Sequence, residues 1–192
     1  MDVNFKYNDP QANDPIYFEQ IFAEKPGGGL VVNPGADLPP TSPVGYNSSG
    51  KLEAFKCYRL YAAVESTDTT IKIAKGSGVA VGDFIAHGDV AVAATAIDTE
   101  NEDYDVVTVT LGVDIAADTV LYQSSQASAA ATQSTEAVKA APYLAPVFVL
   151  GAPIFAGKGD QLVKLVNGAN LRKETANISS ELAALIPGIA LV

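Results

Sequence analysis

The feature that most constrains the fold is a series of short segments, after residue 50, in which apolar side chains alternate with polar ones. Ile71 and Ile73 alternate in TTIKIAK, and Val107, Val109 and Leu111 lie on one side of DYDVVTVTLG. An apolar residue at every second position is typical of a strand with one buried face. Glycine and aspartate separate the segments, as turns require. Short strands at this spacing predict a mainly β fold, a small β-barrel or β-sandwich of antiparallel strands.

Two segments combine β and helix signals. KLEAFKCYRLYAAVE, at residues 51–65, suits a helix by composition, but its aromatic content and the alternation of Phe55 and Cys57 with their neighbours favour a strand. The Ala/Ser-rich segment at residues 124–141 is low in complexity. Its alanines predict one helix near residues 125–131, followed by a flexible link.

The chain ends on a strongly patterned segment, NISSELAALIPGIALV. Ser179 suits the N-cap of a short helix, and Pro187 followed by Gly188 suits its end. Chain ends fray unless they are held by other contacts. The apolar residues after Gly188 therefore predict a last strand that docks into the core or onto a neighbouring subunit, with Leu191 and Val192 among the contacts.

The first 50 residues differ from the rest. Seven of the 11 prolines fall there, with a run of three glycines at residues 27–29. Proline removes a backbone donor and biases its predecessor toward extended backbone. This composition predicts an extended N-terminal arm over residues 1–50, ahead of a β domain over residues 51–192. Apolar anchors predict that the arm lies along another surface, such as that of another subunit. The predicted contact residues are Phe5, Tyr7, Tyr17, Phe18 and Phe22.

Charge and hydropathy exclude several classes of protein. The formal net charge is −10, and no Lys or Arg occurs between Lys75 and Lys139. Binding to nucleic acid through phosphate neutralisation needs a basic face, so we expect no nucleic-acid partner. No apolar run is long enough to span a membrane. The first residues lack a basic start and an apolar stretch, so no secretory signal is expected and synthesis on the cytoplasmic side is predicted.

The sequence does not match the catalytic motifs that we considered. Cys57 is the one cysteine and His87 the one histidine. A single Cys and a single His fill few nucleophilic or metal templates, although His87 with Asp89 two residues later could in principle act as a base. The glycine stretches PGGGL and KGSGVAVGD lack the spacing of phosphate-binding loops. We therefore predict a non-enzymatic protein without a cofactor.

One acidic stretch, IDTENEDYD, has oxygen ligands of the kind that Ca²⁺ prefers. An EF-hand loop needs glycine at its sixth position, where Asp103 stands, and an acidic residue at its twelfth. A solvated hairpin loop is therefore favoured over a calcium site. The candidate ligands of the less favoured calcium site are Asp98, Glu100, Glu102, Asp103 and Asp105.

Residues 50–192 resemble the head fibre or head decoration proteins of tailed bacteriophages, including prophage copies in gut bacteria. The stretches that carry the resemblance are GVAVGDFI, AVAATAIDTENEDYDVVTVTLGVDIAADTVLYQ and APVFVLGAPIFAGKGDQLVKLVNGANLRKETANISSELAALIPGIALV. It is strongest near the C-terminus, where Val166, Gly168, Arg172 and Glu174 precede the SSELAALIP segment and the final apolar residues.

The resemblance implies a virion protein on the outside of the capsid, made in the cytoplasm of a bacterial host. Such proteins reinforce the shell or carry a projection, often as trimers. The implied partners are the major capsid protein and further copies of the chain.

The alternative is a carbohydrate-binding or adhesive β module on a virion or cell surface. Tyrosine rings can stack on sugars, although the chain has no tryptophan and tyrosines in strands more often line the edge of a core. The candidate tyrosines are Tyr46, Tyr58, Tyr61, Tyr104 and Tyr122.

Overall fold

A computed structural model describes residues 15–130 and 135–192, which form 15 β-strands and one short α-helix. The prediction of a mainly β fold with short strands is confirmed. The strands of the largest sheet are β1 (Phe18–Glu24), β2 (Gly29–Val32), β3 (Pro43–Tyr46), β4 (Leu52–Ala54), β12 (Pro146–Leu150), β13 (Gln161–Val163), β14 (Leu165–Leu171) and β15 (Gly188–Leu191). The remaining strands are β5 (Cys57–Arg59), β6 (Thr70–Ala74), β7 (Phe84–His87), β8 (Val90–Ala93), β9 (Ala96–Asp98), β10 (Tyr104–Thr108) and β11 (Val120–Ser124).

The largest sheet curls. Its strand order is β1-β14-β12-β3-β4-β2-β13, and β15 pairs with β14 outside this path. Only Lys164 separates β13, at one end of the order, from β14, near the other end. We call this body the curled sheet. Most of its strand pairs are antiparallel, but β2 with β4 and β14 with β15 are parallel, which the sequence analysis did not predict.

A second β body is inserted between β4 and β12. It spans residues 57–124 and contains a four-stranded sheet, β5-β11-β7-β8, and a three-stranded sheet, β6-β10-β9. A bridge between Leu60 and Ile73 joins the two sheets, and only two residues separate β8 from β9. We call this body the inserted unit. The segment 51–65 holds two strands, β4 and β5, which belong to different sheets.

Three apolar clusters stabilise the two bodies and the contact between them. One lies within the curled sheet, around Val44, Leu150 and Leu165. A second lies within the inserted unit, around Ile71, Ile85 and Leu121. The third lies between the two bodies and includes residues from both. A single strand can contribute to two clusters, because its successive side chains point to opposite faces of the sheet.

The C-terminal segment fills the space between the bodies. Residues 176–189, which we call the C-terminal wedge, contribute apolar side chains to the third cluster. The wedge contains α1 (Ser180–Ala184), whose N-cap Ser179 accepts a hydrogen bond at its side-chain oxygen from the Leu182 amide at 3.2 Å, as the sequence predicts. Leu182 is fully buried. The wedge therefore connects two β bodies that each have their own core.

Arg59 adds a polar connection between the inserted unit and the wedge. Its guanidinium donates to the backbone carbonyls of Asp118 at 2.9 Å and Ala176 at 2.6 Å. Burial lowers the pKa of Arg59 relative to its ordinary value. A planar cation with five donors suits this position, because it can satisfy several carbonyls that have no strand partner.

The predicted final strand is confirmed. β15 pairs in parallel with β14, and the backbone amide of Val192 donates to the carbonyl of Leu171 at 2.9 Å. The two strands approach so closely at Gly188 that a Cβ atom there would lie 2.2 Å from the carbonyl oxygen of Asn167. Any larger residue at this position would clash with the backbone of β14, so only glycine fits. The end of the chain is held by its own fold.

Two predictions about segments are wrong. Residues 15–50 are not an arm separate from the β domain, because β1, β2 and β3 belong to the curled sheet and Val31 and Val44 are fully buried. Residues 1–14 of the predicted arm lie outside the described residues. The described part of the Ala/Ser-rich segment has no helix near residues 125–131. Ala129 instead forms an antiparallel bridge with Val138. Its serines favour such turns and bridges, since their side chains compete for backbone hydrogen bonds.

Replacing Leu182 with alanine tests the role of the wedge. We expect Leu182→Ala to lower the free energy of unfolding by about 2–5 kcal/mol, because it leaves a cavity between the two bodies. Leu185→Ala, just past the same helix at a residue that is 55% exposed, should cost less than about 1 kcal/mol. Urea unfolding followed by fluorescence measures both. Equal unfolding midpoints for the two variants would contradict the assigned role.

Candidate association surface

Among residues 15–130 and 135–192, β1 lies at an edge of the curled sheet with one side unpaired. It pairs with β14 on one side and stands last in the strand order. Six of its seven residues are exposed, among them Ile21 and Phe22, the latter with 59% of its surface accessible. An edge strand presents unpaired backbone N–H and C=O groups along its free side. This edge therefore offers both backbone hydrogen bonds and apolar side chains.

The charges of β1 are paired within the chain. Glu19 accepts from Arg172 at 2.5 Å, and Glu24 lies 2.5 Å from the ammonium of Lys164. Lys164 immediately precedes β14 and Arg172 immediately follows it. Both basic residues therefore lie on the side of β1 that is paired with β14, and not on its free side. Natural edge strands commonly carry lysine or proline that discourages pairing with another chain. β1 contains neither, although its two glutamates and its register shifts with β14 are further features by which edge strands limit such pairing.

The Phe22 side chain contacts the neighbouring strand β14. A Cβ atom at Gly168 would lie 3.0 Å from the Phe22 ring and 2.6 Å from Cβ of Ala23, so the ring rests on the bare backbone of β14. The pairing of β1 with β14 has register shifts, one of them between Ile21 and Ala23. Phe22 therefore contacts β14 at Gly168 while 59% of its surface remains accessible.

The predicted contact residues have different environments. Phe22 and Val192 are well exposed, whereas Phe18 and Leu191 are half-buried and pack against the cluster that contains the wedge. Tyr17 is also half-buried, and its carbonyl accepts from the Arg172 amide at 3.1 Å. Phe5 and Tyr7 lie outside the described residues. The structure therefore brings Phe22, and not Phe18, to the open surface of β1.

The five candidate tyrosines separate into two groups. Tyr58 and Tyr122 are buried, so their prediction as sugar-stacking residues is wrong. Burial raises the pKa of Tyr122 to about 12 and raises that of Tyr58 further. Tyr61 is exposed and Tyr104 half-buried, and their ring centroids lie 4.9 Å apart. Tyr46 is exposed at the end of β3.

Tyr61 and Tyr104 form the one close aromatic pair that the described residues place on the inserted unit. The two rings are inclined at 37°, and the ammonium of Lys72 lies 4.9 Å from the Tyr104 centroid. Residues in β6 and β10 position the pair, since Lys72 is opposite Val106 in the ladder and Tyr104 opposite Ala74.

The acidic stretch forms the loop between β9 and β10. Asp98, Glu100, Glu102 and Asp103 are exposed, which confirms the predicted hairpin loop. Asp105 is buried and lies 2.5 Å from the ammonium of Lys75, which also donates to the carbonyl of Thr99 at 2.7 Å. Within residues 15–130 and 135–192, no three His, Cys, Asp or Glu side chains are grouped in a way that could hold a metal ion.

His87 and Asp89 do not form the pair that their spacing suggested. Nδ1 of His87 lies 3.4 Å from a carboxylate oxygen of Glu181, in the wedge, while Asp89 pairs with Lys139 at 2.7 Å. The same Glu181 oxygen accepts from the Gly88 amide at 3.1 Å. These contacts connect the turn between β7 and β8 to the C-terminal wedge.

Cys57 lies in the cluster between the two bodies and is 1% exposed. Burial raises its pKa to about 12. The thiolate is the reactive form of cysteine, so this environment makes the side chain unreactive near neutral pH. Cys57 therefore acts as a small buried side chain of the apolar core.

A buried ion pair was missed in the sequence. The ammonium of Lys56 lies 2.8 Å from a carboxylate oxygen of Asp83, which also accepts from the Tyr58 hydroxyl at 3.0 Å and the Ala80 amide at 2.9 Å. The side chains of Lys56 and Asp83 are 9% and 12% exposed. A lysine within the apolar stretch AFKCY was the available signal. Its partner Asp83 lies 27 residues later, next to a glycine in a turn, where an aspartate is expected to face solvent.

No protein-family model, no curated protein and no solved structure matches this chain. Among the described residues, no helix has the length and apolar character needed to cross a membrane.

Removing the Asp83 charge tests the buried pair. We expect Asp83→Asn to lower the free energy of unfolding by about 3–5 kcal/mol, because it leaves the Lys56 ammonium buried without a counter-charge. The matched control is Asp89→Asn, since the Lys139–Asp89 pair has a similar distance but side chains that are 68% and 69% exposed. That control should cost less than about 1 kcal/mol. Chemical denaturation at pH 7 measures both, and similar losses would contradict the assignment.

Stability should fall in alkali because of Cys57. Its folded pKa of about 12 lies above its ordinary value of 9.0, so the folded chain retains a proton that the unfolded chain releases. The contribution is complete below about pH 9 and is lost between about pH 9 and pH 12, at up to about 1.4 kcal/mol per pH unit. Urea midpoints measured from pH 8 to 11 should decline less steeply for Cys57→Ala. Parallel declines would show that Cys57 does not contribute.

Proposed function

We propose that the protein is a non-enzymatic structural protein of a tailed-bacteriophage virion. In this proposal it associates with further copies of itself and decorates the outside of the capsid through contact with the major capsid protein. The resemblance of residues 50–192 to head fibre and head decoration proteins supports the proposal. The structural observation that carries it is the edge at β1, which has a strand partner on one side only among the described residues and exposes Ile21 and Phe22.

An open edge of this kind suits a protein that functions in an assembly. Addition of a strand satisfies backbone groups along the whole length of the edge, and neighbouring side chains give specificity. Pairing of Glu19 with Arg172 and of Glu24 with Lys164 reduces the charge that a partner would meet. The net charge of −10 therefore does not act mainly at this edge.

The acidic loop belongs to the other body. Exposed carboxylates at residues 98–103 lie in the inserted unit, whereas β1 belongs to the curled sheet. In the proposed role, the curled sheet makes the contacts and the acidic loop faces solvent. Like charges on neighbouring copies then discourage non-specific adhesion of crowded particle surfaces.

A carbohydrate-binding module is the second candidate, and the pair Tyr61 and Tyr104 favours it. Aromatic faces stack on the apolar faces of sugar rings, and Lys72 and Thr70 on the same strand offer hydrogen-bonding groups nearby. The ammonium of Lys72, however, already lies over the Tyr104 ring. The virion role is therefore preferred.

Co-sedimentation with capsids tests the proposed function. Empty capsids assembled from the major capsid protein of the same phage genome are mixed with the purified chain. We expect saturable binding at a fixed ratio of chain to capsid subunit. Phe22→Lys should weaken binding at least tenfold, because it places a charge on the open edge. Val81→Lys is the matched control, as it changes an apolar residue that is 63% exposed in the inserted unit and lies outside the strands.

Two results would overturn the proposal. The first is a chain that stays in the supernatant at every capsid concentration. The second is equal binding by the Phe22 and Val81 variants, which would remove the structural observation that carries the proposal. Binding to bacterial surface polysaccharide that Tyr61→Ala abolishes, without capsid binding, would favour the second candidate.

A further inference from the structure

We infer that the C-terminal wedge and β15 form a strap that opens as one unit while both β bodies stay folded, and that Thr41 holds this strap closed. The inference goes beyond the proposed function, because it concerns the chain by itself. It rests on a strained turn in the curled sheet and on the side-chain contact that this turn makes with the wedge.

The backbone of Thr41 adopts a conformation that suits glycine. Its φ is +70°, and Asp118, at +62°, is the other non-glycine residue with positive φ in the described part of the chain. The Ser42 amide donates to the Pro39 carbonyl at 3.4 Å, so Pro40 and Thr41 are the central residues of a β-turn. Positive φ at the second central position is typical of a type II turn, where glycine or asparagine is usual. A β-branched residue there is an outlier.

The curled sheet itself fixes this conformation. The Thr41 amide donates to the Leu150 carbonyl at 2.7 Å, and the Leu150 amide donates to the Ser42 carbonyl at 2.9 Å. Two residues therefore oppose one, as in the G1 bulge, whose first residue is normally a left-handed glycine. Both hydrogen bonds lie within the curled sheet, so the turn keeps its shape without the wedge.

Threonine supplies a hydroxyl to the wedge that glycine lacks. The Asn177 backbone amide donates to Oγ1 of Thr41 at 2.6 Å, and the Asn177 side-chain amide donates to the Ser42 hydroxyl at 2.9 Å. Thr41 and Ser42 are fully buried. A buried amide that loses its acceptor raises the free energy of the folded state. The Thr41 hydroxyl therefore stabilises the docked wedge, at the cost of strain in the turn.

Neither β body needs the wedge for its own core. Among the described residues, the clusters around Val44 in the curled sheet and Ile71 in the inserted unit include none from 176–189. The wedge packs in the third cluster instead, and β15 pairs with β14 outside the main strand order. Segments with separate contacts of this kind open locally at a lower free energy than the whole domain.

The remaining polar contacts of the wedge do not all favour docking. The Arg59 guanidinium donates to the Ala176 carbonyl at 2.6 Å, and a Glu181 carboxylate oxygen accepts from the Gly88 amide at 3.1 Å. The second carboxylate oxygen of Glu181 is buried and has no hydrogen-bond partner among the residues that the structure describes. A buried oxygen without a partner disfavours the closed state. The contact at Thr41 therefore has a measurable effect on opening.

Cys57 provides a probe of this opening. It is the one cysteine of the sequence, it is 1% exposed, and it lies in the third cluster with Leu182 and Ile186 of the wedge. The backbone of Ser179, at the start of α1, forms a hydrogen bond with its thiol. Opening of the strap exposes this thiol to solvent, whereas fluctuations within the core of either body do not.

The first experiment measures the rate at which dithionitrobenzoate labels Cys57 in the purified full chain under native conditions. We expect Thr41→Gly to be labelled about fivefold faster than Thr41→Ser, because the glycine variant lacks one hydrogen bond of the closed state. Glycine suits the turn, so this variant should fold. Thr41→Ser is the matched control, since it loses the same methyl group but keeps the hydroxyl. Equal rates, or slower labelling of Thr41→Gly, would overturn the assigned role of Thr41.

The second experiment uses hydrogen exchange with mass spectrometry to ask whether the strap opens as a unit. We expect peptides from residues 176–191 to exchange faster than peptides from β6 and β12, and to respond less to sub-denaturing urea, because local opening exposes less surface. Thr41→Gly should accelerate exchange in 176–191 relative to Thr41→Ser, with no acceleration in β6 or β12. Exchange of all these peptides at one rate, with one urea dependence, would show global unfolding alone and would overturn the inference.

Discussion

Apolar packing of the C-terminal wedge between two β bodies is the interaction on which the rest of the structure depends. The curled sheet and the inserted unit each enclose their own core, and two connections through residues 55–56 and 125–145 join them along the chain. Leu182 and Ile186 fill the space between them and convert these connections into one packed arrangement. The guanidinium of Arg59 and the carboxylate of Glu181 add polar contacts at the margins of the same space.

Local signals predicted local structure well. The alternation of Ile71 with Ile73 predicted β6, and Ser179 predicted the start of α1, because strand period and helix capping depend on neighbouring residues. Prolines misled the interpretation of the first 50 residues. Proline is compatible with strands at edges and ends, and Pro43 begins β3 while Val44 beside it enters the core.

What depended on distant residues could not be predicted. The partner of Lys56 and the parallel pairing of β15 with β14 join segments that share no local pattern. At the candidate surface, too, the residue type was evident from the sequence, but its environment was not. Phe22 was selected for its apolar character, but its exposure follows from the position of β1 at the end of the strand order, which pairing alone determines.

The pairing of β1 with β14 also has a consequence for synthesis. Phe18 lies opposite Leu171, so the first described strand finds its partner only after most of the chain has left the ribosome. Contacts of such large sequence separation form slowly. Until β14 arrives, β1 has two open edges rather than one, and nascent chains on one message lie close together. Residues 18–24 are therefore the part of the largest sheet that is exposed to other nascent chains for the longest time.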